Sequence, residues 1–406
     1  MLVNVYEPLL WYNPPDAAER FTPALATAWS VSDDGRTRTF TLREGVTFHD
    51  GEPFNAAAAK SSIERTMELK QGAWYIWSAV ESIEAPDDFT LVIRTSQPAP
   101  IDLIASSQYG AYMYSPAAAA NGTEWFNEGN AAGTGPYHVR QWVRDQQIVL
   151  EVRGLLGRVH GAQFRSSDSQ GRHRERNASA DAPLRREADF ISLVPADALA
   201  ALDADPALVA QAIPSWKNSQ FLINVGKAPT DNLDFRRALT HAWDYASVVE
   251  NIYASSAEVA SGIIPATMWG HKADLKAPGF DLEAARHLVE ASGIPEGERK
   301  VTMAYIGTSE EYKNAALLFQ ENCRQIGIEV ELVPGPWGTI WDAAKNQETA
   351  PNLQSMTWWP TYPTPSDWLI GLFRTEDKAL FNLSHYANPG VRQAGRRGRR
   401  PRGGGP

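Results

Sequence analysis

The sequence predicts an α/β protein with more than one sheet and more than one domain. Three observations carry that expectation. Near the start, alternating stretches are broken at Glu44-Gly45 and Asp50-Gly51, a strong hairpin signal. Later, a strand–helix–strand run implies parallel strands joined by a right-handed crossover. Finally, 406 residues of 43% hydrophobic composition suffice for two or three cores.

The elements follow in order. RTRTFTLREGVTFHDGEPF alternates Thr39 and Thr41 with Phe40 and Leu42, as a half-buried strand does. AAAAKSSIERTMEL reads as a helix and DDFTLVIRT as a strand. GTGPYHVRQWVRDQQIVLEV reads as a glycine-rich entry and two strands with a turn near Asp145. EADFISLVP is expected as a strand, PADALAALDAD as an amphipathic helix and NSQFLINVG as a short buried strand. DFRRALTHAWDYASVVENIY is expected as one long helix. VTMAYIGT, NAALLFQENCRQIG and IEVELVP form the strand–helix–strand unit, with Gly327 as the helix stop. Ala315, Phe319, Cys323 and Ile326 share one helical face, so the single cysteine reads as a buried core thiol.

Catalytic and metal motifs do not stand out. There is no G-x-S-x-G elbow, H-E-x-x-H helix, Walker loop or C-x-x-C pair. GTGPY lacks dinucleotide spacing and opens a strand instead of a helix. His49-Asp50 is explained by turn chemistry, Glu283 and His287 by a solvated helix face, and His241 by helix packing. No cofactor or metal is expected. No run of 18 apolar residues spans a membrane. The start, MLVNVYEPLLWYNPP, has no export signal as written.

Aromatic clusters are the unusual feature. The chain has 14 Trp, several in loop-like stretches: QGAWYIW (Trp74, Trp77), PGPWGTIW (Trp337, Trp341) and SMTWWPTYPTPSDWL. Proline-rich segments lie at surfaces, so these rings suit the walls of a ligand cleft. The expected ligand-binding residues are Trp74, Trp77, Tyr109, Trp337, Trp358, Trp359, Thr361 and Tyr362, by stacking or hydrogen bonding.

Charge is uneven. Residues 154–186 hold seven Arg and three acids, and 390–406 hold six Arg and no acid. The rest of the chain carries a net −20, a body that repels a phosphate backbone, so nucleic acid is not an expected partner.

PALATAWSVSDDGRTRTFTLREGVTFHDGEPFNA closely resembles the signature of the family 5 solute-binding proteins of ABC transporters, the binders of dipeptides, oligopeptides, nickel and glycosides. GTGPYHVRQWVRDQQIVLE, EADFISLVP, FLINVGKAPTDNLDFRRALTHAWD and NLSHYANP extend the resemblance in family order. It implies a two-lobe periplasmic-binding-protein-like fold of type II, with mixed sheets and a hinge between lobes that close on a ligand. It also implies a monomeric receptor, periplasmic or lipid-anchored, that passes a peptide-like or oligosaccharide-like solute to a membrane permease and catalyses nothing. The alternative from another class is an α/β hydrolase acting on a similar solute. The implied organisation is an outer subdomain of lobe I over 1–125, its core subdomain over 126–215, lobe II over 216–389, and an Arg/Gly-rich tail over 390–406. The first hinge crossing is expected near Ser215 to Ile223.

In the family's peptide receptors an aspartate in the loop resembling SMTWWPTYPTP holds the peptide ammonium. Matching Pro365 to that loop's proline puts Thr361 at the aspartate position, which points away from free-amine peptides. Trp358 matches an aromatic position of the same loop. The resemblance lapses at 154–186 and after Pro389. Reading Asp-Tyr-Trp-Gly codons one base early yields Gly-Leu-Leu-Gly, the residues at 154–157, and the same shift of a family-like ending yields residues 391–397. Two frame disruptions and a clipped beginning are therefore expected, with both Arg-rich segments disordered and the chain marginally stable.

Overall fold

The computed structural model describes residues 2–14, 17–143, 147–152, 166–169, 199–210, 213–254, 256–275, 277–376 and 378–389. They divide into two compact units. One holds the described residues of Met1–Arg172 with Thr361–Pro363, and the other those of His173–Pro360 and Thr364–Gly395.

In the first unit, β1 (Leu10–Tyr12) pairs antiparallel with β2 (Phe21–Pro23). A four-stranded antiparallel sheet follows, from β3 (Ala26–Val31), β4 (Thr37–Leu42), β5 (Val80–Asp87) and β6 (Thr90–Thr95), in the order β3-β4-β6-β5. Along β4 the expected alternation holds at its end: Phe40 and Leu42 are buried while Thr41 is exposed. Gly45 and Gly51 take φ of 72° and 92°, the left-handed turn positions that the Glu-Gly and Asp-Gly pairs announce. The helix Ala56–Leu69 is capped by Asn55, whose side chain accepts from Ala58 N, and buries Ile63.

A second sheet of this unit joins β7 (Tyr137–Val143), β8 (Gln147–Val152) and β9 (Ser166–Ser169), all antiparallel. The glycines entering β7 allow close backbone approach, since a Cβ on Gly135 would lie 2.6 Å from Asn4 O. Ser166–Ser169 lies in the segment expected to lack order, yet it forms a strand, because ladder bonds need only backbone groups. The rest of that segment, the turn at Asp145, the EADFISLVP strand and the tail lie outside the described residues.

The second unit is built on one mixed sheet, β10 (Asn218–Ile223), β11 (Lys300–Ile306), β12 (Glu329–Gly335) and β13 (Leu353–Trp358), in the order β10-β13-β11-β12. β11 pairs parallel with both β12 and β13, and β10 closes the edge antiparallel to β13. The crossover helix Glu310–Gln325 ends before Gly327 at φ 77°. It buries Ala315, Phe319 and Cys323 as expected, and burial raises the Cys323 thiol pKa. Asn352 and Ser355 extend the short β11–β13 ladder with their side chains, accepting from Thr302 N at 3.0 Å and from Ile306 N at 3.0 Å.

One expected element is corrected. The long helix over DFRRALTHAWDYASVVENIY is broken into Leu233–His241, a short turn Tyr245–Ser247 and a wider turn Val248–Ile252. Asp244 causes the break, because its carboxylate caps a new start by accepting from Ser247 N at 3.0 Å.

Candidate functional site

The expected ligand residues fall into two constellations, one in each unit. In the first, residues Trp74–Trp77 form a single 3-10 turn. Its tight winding drives Trp77 inward, where it is fully buried and its indole N–H donates to Gly110 O at 2.8 Å. Trp77 was expected to line a cleft; burial makes it a core residue instead. Gly110 supports this packing, since a Cβ there would lie 2.9 Å from Ile76 Cδ1. Trp74 is half-buried, and Tyr109 is 55% exposed.

Thr361 and Tyr362 belong to this unit, while their neighbours on both sides belong to the other. The Thr361 hydroxyl lies 2.6 Å from Tyr75 OH, and its carbonyl accepts from Ser107 Oγ at 2.6 Å. Tyr362 is buried. Three neutral hydroxyl groups and a carbonyl thus meet at the position expected to lack an anionic anchor. Both of these bonds join neutral groups.

In the second unit the rings form a ladder. Trp337 stacks on Trp341 at 6.1 Å and 13° between planes, Trp341 on Phe381 at 5.6 Å and 16°, and Trp358 meets Phe381 edge-on at 5.2 Å. Trp341 is pinned by donation to Leu380 O at 2.7 Å, with Lys345 Nζ 4.1 Å from its ring centroid. Trp358 is 5% exposed and sits against Gly371, where any Cβ would lie 2.6 Å from the indole. Trp359 is 45% exposed and Trp337 half-buried.

Tyr75, Ser107 and Phe381 were missed from sequence. Tyr75 adjoins Trp74, and an aromatic turn was visible there. Ser107 carries no local signal, because its partner lies 254 positions away. Glu283 and His287 stand on a solvated helix face as expected, and among the described residues no group of three metal-ligating side chains converges. No described helix is long and apolar enough to cross a membrane.

Comparison with known proteins identifies this framework. The probable D,D-dipeptide-binding periplasmic protein DdpA of Escherichia coli K12 is 28% identical over 373 residues, 90% of this chain and 71% of the relative. The glutathione-binding protein GsiB of the same strain is 27% identical over 393 residues, 93% of this chain and 74% of the relative. Among solved structures, the ABC transporter-associated periplasmic binding protein DppA of Helicobacter pylori, in complex with peptide STSA, aligns with a TM-score of 0.82 at 24% identity, covering 96% of this chain and 80% of the other. The oligopeptide-binding protein OppAIV of Borrelia burgdorferi aligns at 0.84 and 22%, covering 99% and 83%. The shared fold is the mixed α/β fold of the type II periplasmic binding proteins. Nothing in these likenesses favours the hydrolase alternative. Residues 20–379 match the model of the bacterial extracellular solute-binding proteins, family 5 (middle region), and the chain is a member of that solute-binding family.

Proposed function

We propose that the chain is the receptor of an ABC importer that captures a peptide-like solute outside the cytoplasmic membrane and passes it to the permease. It works as a monomer, in the periplasm or lipid-anchored, without a cofactor, catalysis or nucleic acid. The observation that carries this reading is the family match over residues 20–379. The names of the relatives, a D,D-dipeptide binder and a glutathione binder, support a peptide-like cargo over an oligosaccharide. The cargo's end at the Thr361 loop is uncharged, which the hydroxyl pair of Thr361 and Tyr75 supports. Trp74, Tyr109, Trp337 and Trp359 supply stacking surface, while Trp358 and Tyr362 act as fixed walls behind it.

Thermal melting of the full chain with dipeptides in free-amine and N-acetylated forms tests the reading. A saturable rise in Tm, larger for the acetylated forms, is expected. No rise with any peptide refutes the cargo class, and turnover of a chromogenic ester or glycoside refutes the receptor reading altogether.

A further inference from the structure

The first unit carries a pocket lined by the His49-Asp50 turn, by His138 and Val139 of β7, and by residues between Ala117 and Ala132. Its volume is about 500 Å³, within the range of small-molecule sites. The floor is small and apolar, from Ala117, Ala118, Ala131, Ala132 and Val139. The polar lining is His49, Asp50, Asn121 and His138, and Trp125 supplies the aromatic wall.

The donors and acceptors of this lining are unequally spent. His49 Nε2 lies 2.9 Å from Gly135 O, and a carbonyl only accepts, so that nitrogen carries the ring proton and donates. Asn121 Nδ2 donates to Ala118 O at 3.2 Å, and its Oδ1 is an acceptor by its chemistry. Asp50 accepts from Glu52 N at 3.2 Å through one oxygen and keeps a second. His138 Nε2 faces Glu151 Oε2 at 3.6 Å, so a second carboxylate stands behind the imidazole. No Lys or Arg is among the lining residues, and Asp50 is their one carboxylate. Two donors of this lining, His49 Nε2 and Asn121 Nδ2, thus turn to the backbone, while Asp50 contributes negative charge and Trp125 an aromatic ring.

That combination recognises a donor-rich cation. We infer that this pocket binds a small alkylammonium, its N–H groups directed to Asp50 and Asn121 and its carbon chain laid along Trp125 and the alanine floor. Three of the lining side chains are held by ring contacts. The His49 and His138 rings meet edge to face at 6.2 Å between centroids, and Trp125 is held edge-on to Phe126 at 5.0 Å. The Gly51 turn at φ 92° brings Asp50 round beside them. The inference is independent of the proposed cargo, since it uses none of the residues assigned to that site.

The test is a titration of the full chain, labelled with ¹⁵N at tryptophan indoles, with n-butylammonium at pH 7.5 and its neutral counterpart n-butanol. The Trp125 indole signal, assigned with Trp125→Phe, is expected to shift saturably with the amine. The alcohol and the Asp50→Asn variant are each expected to bind about tenfold more weakly. A Trp125 signal unmoved by the amine overturns the inference, as does equal binding of amine and alcohol. Unchanged affinity in a folded Asp50→Asn protein also overturns it.

Discussion

Replacing Thr361 with aspartate should convert the preference for an uncharged cargo end into one for an ammonium. In the wild-type chain the Thr361 hydroxyl lies 2.6 Å from Tyr75 OH. Aspartate is close in size to threonine, so one carboxylate oxygen can still accept from Tyr75 while the other faces the ligand. A hydrogen bond to a charged partner contributes about 1.5–3 kcal/mol. Thr361 is half-buried, so solvent screening reduces that to about 1–2 kcal/mol. The ratio of Kd values, acetylated over free-amine dipeptide, should therefore rise about 5- to 30-fold in Thr361→Asp. Isothermal titration calorimetry at pH 7 measures both constants. Thr361→Asn, equal in shape without the charge, should keep the wild-type ratio. If Thr361→Asp changes the ratio by less than about twofold while both peptides still bind, the argument that this position selects the charge of the cargo is wrong.

Three further outcomes follow from the packing. Asn352 is 3% exposed and its side chain serves Thr302 N, Thr302 Oγ1, Ala228 O and Thr230 Oγ1 at 3.0–3.2 Å, so Asn352→Ala should cost about 3 kcal/mol in urea unfolding. A loss below about 1 kcal/mol would mean these bonds are replaced by water. Burial pushes Tyr6, and to a lesser depth Tyr112, up to about 12 from 10.0. The neutral phenol is the form the fold prefers, so the stability it contributes is whole below pH 10 and is lost as pH climbs through 12. Tyr6→Phe should flatten that alkaline decline of Tm, and an unchanged slope counts against it. Cys323 is fully buried with its thiol pKa raised, so a thiol reagent should leave the native chain unmodified and react at once in urea.

Much of the fold was legible because its signals are local. Alternation at Phe40 and Leu42, the Asp-Gly turn, the helical face of Phe319 and Cys323, and the Gly327 stop each need only a few neighbouring residues to be read. The broken helix shows the limit, since Asp244 can cap a helix or lie on its surface, and the sequence does not distinguish the two. Aromatic clusters were legible as well, but not their division of labour. Trp74 and Trp77 are alike in sequence, and only the tight turn decides that one is half-exposed while the other donates to Gly110 from the core. By itself, the sequence determined the β4 alternation, the Gly45 and Gly51 turns, the strand–helix–strand unit with its helix stop at Gly327 and the neutral residue at 361, because these depend on side-chain chemistry and short-range periodicity. Tertiary structure alone decided that Thr361 meets Tyr75, 286 positions away, and Ser107, 254 away, because such contacts depend on how distant segments share one packed interior.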